Sequence, residues 1–171
     1  SRLSILRLPA LDREPLLTLP EYIIMRAAPG AQRLAIGGRL SSGAPDRVLA
    51  WRSLTANSEW QVIADVDPSE VDPPTLRFDP SGRWLLWRNA NSGSLRRADL
   101  TTGVVTTIDL DIVEGIAVGF AKRSPLAVIP AGGPGGYAVY TIDLQTSTAS
   151  WNDLGFGQFL GADFDSDDSH L

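Results

Sequence analysis

Asp163, Asp165 and Asp167 alternate along the chain, the spacing at which carboxylates of a tight loop converge on a hard cation such as calcium. Asp168 stands where such a loop wants Gly, and the slot for a bidentate Glu falls past Leu171. Phe164-Asp165 also aligns with Phe78-Asp79, so these residues read first as a turn between two strands, with calcium binding left open. Gly133-x-Gly135-x-x-Ala138 faintly mimics a dinucleotide fingerprint, but that motif needs a helix whose N-terminus meets the phosphates. Tyr137 to Ile142 reads as a strand instead, which makes Gly132 to Gly136 a hairpin loop.

His170 is the one histidine. A triad built on it needs a nucleophile in a G-x-S-x-G setting, which the sequence lacks, and a lone His makes no zinc pair. Asp67, Glu70 and Asp72 have the types of an acid–base pair, yet on the Pro-rich stretch Asp67 to Pro74 they read as a solvated charge cluster. No catalytic, cofactor-binding or metal-binding set is therefore assigned, and the chain is expected not to be an enzyme.

Composition narrows the partners. Net charge is −5, which disfavours nucleic acid and anionic membrane. Apolar runs such as Leu126 to Ile129 are too short to span a bilayer. With no Cys there is no disulfide framework and no thiolate chemistry. A hydrophobic content of 43% is enough for a packed core.

The elements that would position side chains come from a repeat. Phe78 precedes Trp84 by six residues, and Phe120 precedes Leu126, Phe164 precedes His170 and Ala27 precedes Arg33 by the same step. A second landmark gives the same period: Leu8, Leu54, Leu100 and Leu144 each follow a strand-like segment and precede a turn. A period of about 45 residues carrying four strands marks a β-propeller blade. The clearest copy is Leu76 to Leu110, with its turn Asp79-Pro80-Ser81-Gly82 and apolar strand Trp84 to Trp87. The second strands Leu34 to Ile36, Trp84 to Trp87 and Leu126 to Ile129 are apolar at consecutive positions, which predicts burial on both faces. Trp84 and Trp87 should then be buried on opposite faces, Trp87 more completely, since its aligned positions Ile36 and Ile129 are always apolar. No window carries capped helical periodicity, so essentially no helix is expected.

This reading divides residues 1–171 into a partial blade at 1–20, blades at 21–66, 75–110 and 115–154, and the start of another at 159–171. Loops between second and third strands are expected at Gly37 to Arg47, Arg88 to Ser94 and Ala131 to Tyr137.

FDPSGRWLLW followed by ADLTTG resembles the WD40-like propeller repeats of the TolB and prolyl-oligopeptidase type, a repeat-level resemblance. The Gly-His and Trp-Asp pairs of true WD40 repeats are absent, so the WD40 tetrad is not expected. The resemblance implies an all-β fragment of a β-propeller, of roughly six to eight blades in common examples, whose missing blades the parent chain would supply. It also implies that the loops between second and third strands emerge on one rim, where Arg39, Asp46, Arg47, Arg88, Asn89, Asn91 and Tyr137 could meet a partner. The expected function is a non-catalytic scaffold that binds a protein or peptide. The alternatives are the gating propeller of a serine peptidase whose catalytic domain lies elsewhere, and a ligand- or calcium-sensing propeller.

Overall fold

A computed structural model describes the backbone of residues 2–7, 12–18, 21–28, 32–40, 47–55, 58–110, 118–133, 136–155 and 164. Asp46, Asp163, Asp165, Asp167 and His170 lie outside the described residues, as does the side chain of Tyr137. The chain divides into two compact units, Ser1–Pro68 and Ser69–Leu171.

In the first unit, β1 (Arg2–Arg7) pairs antiparallel with β2 (Asp12–Thr18). The strands β3 (Glu21–Ala28), β4 (Arg33–Arg39), β5 (Val48–Ser53) and β6 (Gln61–Ile63) form a four-stranded sheet in chain order. The second unit holds two more such sheets. One is β7 (Arg77–Phe78), β8 (Trp84–Arg88), β9 (Leu95–Asp99) and β10 (Val105–Ile108). The other is β11 (Gly119–Phe120), β12 (Leu126–Gly133), β13 (Gly136–Asp143) and β14 (Thr148–Gly155). Helix among the described residues amounts to two single 3₁₀ turns, Pro68–Glu70 and Pro73–Thr75.

One register recurs in all three four-stranded sheets. Between first and second strands, Ala27 pairs with Leu34, Phe78 with Leu85 and Phe120 with Ala127. Between second and third, Arg33 pairs with Ser53, Trp84 with Asp99 and Leu126 with Asp143. The N–H groups of Leu54, Leu100 and Leu144 donate to the carbonyls of Gln32, Arg83 and Pro125 at 2.6, 2.9 and 2.7 Å.

The local chemistry that ends each third strand is also shared. The carboxylate of Asp99 accepts from the N–H of Thr101 at 2.9 Å, and that of Asp143 from the N–H of Gln145 at 2.7 Å. In the first unit the Ser53 hydroxyl accepts from the N–H of Thr55 at 3.2 Å. Such short polar side chains bind the backbone two residues on and turn it out of the strand. The turn then needs a left-handed residue, Gly103 at φ 77° in one blade and Ser147 at φ 61° in the next.

Two strand boundaries differ from expectation. β4 runs through Gly37 and Gly38 to Arg39, so the loop begins later than Gly37. Most of the loop expected over Ala131 to Tyr137 belongs to the ladder of β12 and β13, with Gly132 opposite Tyr137 and Gly133 opposite Gly136. Gly and Pro weaken an isolated strand. Here a long partner holds them in the ladder, Pro130 facing Val139 and Gly37 facing Leu49.

Packing in the second unit is blade against blade. Trp84, Leu86, Leu95 and Ile108 of one sheet meet Ala127, Ile129, Ile142 and Leu144 of the other in one buried cluster. The far face of the β11–β14 sheet packs Ala121, Val128 and Val139 with Phe164. Trp87 lies on the face of β8 opposite Trp84 and is 0% exposed, whereas Trp84 keeps 7%. Both are buried, and in the expected order.

Candidate functional site: the hairpin end of the central blade

The loop from Asn89 to Ser94 joins β8 to β9. Asn89 shapes it from inside: its Oδ1 accepts from the N–H groups of Asn91 and Ser92, both at 2.9 Å. Its own N–H donates to the Ser94 carbonyl at 2.8 Å, and Gly93, at φ 76°, donates back to the Asn89 carbonyl. Asn89 is buried, which is allowed because these polar atoms are matched.

The connector Glu70 to Asp72 holds the same loop from outside. Val71 forms a β-bridge with Asn89. The N–H of Ala90 donates to the Glu70 carbonyl at 2.7 Å, and that of Asp72 to the Arg88 carbonyl at 3.0 Å. Asn89 Nδ2 donates to Glu70 Oε2 at 3.2 Å, and Arg88 lies 3.7 Å from Asp72. Glu70 and Asp72, expected as a merely solvated cluster, are therefore struts for the hairpin.

Next to the loop opens a cleft of about 620 Å³, lined by Asn89, Ser92, Ser94, Arg96, Thr107 and Asp109 among others. Arg96 faces Trp87 across β8–β9 and Thr107 across β9–β10. Its guanidinium stands 5.8 Å from the Trp87 ring centroid. Its Nε is buried and makes no hydrogen bond among the described residues.

Of the expected recognition residues, this end gathers Arg88, Asn89 and Asn91, the last exposed on the loop. Arg39 and Arg47 belong to the first compact unit, Arg39 as the last residue of β4 rather than a loop residue, and Arg47 just before β5. Arg88 likewise ends β8, and Tyr137 lies inside β13. Arg96, Thr107 and Asp109 were not singled out from sequence. The available signal was an Arg opposite the most buried Trp, which becomes visible once the register is known.

The opposite end of the blade has its own polar frame. Asp79 accepts from the Trp84 N–H at 2.7 Å and from the Ser81 N–H at 3.0 Å, which closes the Asp79-Pro80-Ser81-Gly82 turn. Arg83 donates from Nη2 to Asp99 at 2.8 Å while lying 4.6 Å over the Trp84 ring. The hydrogen bond from Arg83, helped by the N–H of Thr101, holds the Asp99 carboxyl below its ordinary range despite burial. Burial works the other way on Arg97, lowering its pKa, and Arg97 spends its Nη1 on the Leu144 carbonyl of the next blade.

Comparison with known proteins decides the fold. The crystal structure of TolB from Acinetobacter baumannii superposes with a TM-score of 0.57 at 16% identity, over 87% of this chain and 36% of that one. The fold is that of a TolB-like β-propeller. The chain spans about a third of the TolB chain that it matches. No family model matches it, and no curated protein does. Among the described residues of the TolB-like fold, no helix is long and apolar enough to cross a membrane.

Proposed function

We propose that this chain is a non-catalytic recognition module that offers the hairpin end of its blades to a protein or peptide partner. One observation carries the reading. The Asn89 loop is fixed from both sides by hydrogen bonds and sits beside an open polar cleft. A surface already ordered before contact loses less entropy on binding. Buried polar atoms spent on shaping an exposed loop, rather than on the core, suit a surface meant to be met.

The test is capture from a lysate of the source cells on the immobilised chain, beside a Ser92→Arg, Ser94→Arg variant that fills the cleft mouth. The reading expects a protein retained by the parent chain and lost from the variant, with unchanged circular dichroism. Equal retention by both, or retention of nothing above a bare-resin control, contradicts it.

A further inference from the structure

We infer that the cleft at the hairpin end of the central blade binds the carboxylate of an acidic side chain, Asp or Glu, in an extended peptide. The inference rests on the recognition reading above and adds the chemistry of the partner. Arg96 is the cation of the cleft. Its guanidinium stands beside the Trp87 ring with Nε buried, so a ligand in the cleft meets the fork of the two terminal nitrogens. A planar guanidinium held against a ring keeps its fork geometry, and carboxylate is the group that matches that fork. The hydroxyls of Ser92, Ser94 and Thr107 line the same space and can serve the neighbouring amides of a peptide backbone.

The charge of the walls selects among anions. Asp109 lines the cleft, and Glu70 stands just behind Asn89. Two fixed negative charges oppose a dianionic phosphate more strongly than a single carboxylate. Asp109 also lowers affinity for any acidic ligand, so its removal should strengthen binding, an effect that a structural role for Arg96 does not give.

The experiment is an amide-resolved NMR titration of the whole chain with Ac-Gly-Glu-Gly-NH₂, Ac-Gly-Gln-Gly-NH₂ and glutarate. The Glu peptide should shift the Ser92, Ser94 and Thr107 amides saturably, while the Gln peptide does not. Arg96→Gln should weaken the Glu peptide about ten- to a hundredfold, and Asp109→Asn should tighten it roughly two- to fivefold. Equal shifts with Glu and Gln peptides, or weaker binding in Asp109→Asn, overturn the inference. Glutarate binding as tightly as the Glu peptide would identify a free carboxylate as the ligand and overturn it too. If the peptide fails while capture stays dependent on Ser92 and Ser94, the recognition reading stands and only the acidic chemistry falls.

Discussion

Trp87→Ala lowers the unfolding free energy by about 3–5 kcal/mol, the usual loss for emptying a large aromatic site. Trp87 is fully buried, and its indole N–H has no partner among the described residues. The loss is therefore one of packing, and Trp87→Phe should recover a good part of it. Trp84→Ala should lose less. Its site keeps some exposure, and the Arg83 side chain already lies over the ring and can settle into the space. Against a typical total of about 5–15 kcal/mol, the Trp87 loss is severe enough that the variant should be partly unfolded at modest urea. Urea unfolding of the three variants checks this. A near-neutral Trp87→Ala beside a severe Trp84→Ala would mean that the two faces of β8 are exchanged.

Asp79→Ala should destabilise by about 2–3 kcal/mol. Asp79 is buried, and its carboxylate receives the Trp84 N–H as well as the N–H of Ser81. Alanine leaves the Trp84 N–H in the interior with no acceptor, the expensive half of a broken hydrogen bond. Asp79→Asn, which keeps an acceptor oxygen, should lose clearly less. Denaturant midpoints of the two variants separate these outcomes, and equal losses would show that charge, not the acceptor, is what the turn uses. Asp99 gives a contrast in pH. Its folded pKa is depressed, first by the hydrogen bond from Arg83, so its stabilisation is present above the ordinary carboxylate value of about 4. That contribution is lost as pH falls through the folded value. The gap between the parent chain and Asp99→Asn should therefore be open at neutral pH and close in acid.

Much of the fold was legible because two independent landmarks had to satisfy one geometry. The six-residue step from Phe78 to Trp84 is the length of the turn that lets Phe78 pair with Leu85. The Leu100 and Leu144 landmarks mark where Asp99 and Asp143 turn the chain. Strand ends were less legible, because Gly37, Gly38 and Pro130 have no intrinsic preference for a ladder and are held there by their partners. The candidate site was legible in part. Asn89 and Arg88 stand out as polar residues after an apolar strand, but the grip of Glu70 and Asp72 on them crosses nearly twenty residues of chain. Arg96 and Arg97 are adjacent and alike in sequence. Only the pairing partner sends Arg96 beside Trp87 and Arg97 to the Leu144 carbonyl.

That division between Arg96 and Arg97 makes the register of the blades the point on which both the fold and the cleft depend. A slip of one residue in β9 would exchange the two arginines between faces. Cross-strand backbone NOEs in the intact chain measure it directly. The account expects amide–amide contacts joining Leu34 with Arg52, Leu85 with Ala98 and Ala127 with Ile142, the same pairing in three sheets. Amide–amide NOEs that join Leu85 instead to Arg97 or Asp99 would contradict it, and with it the placement of Arg96 in the cleft.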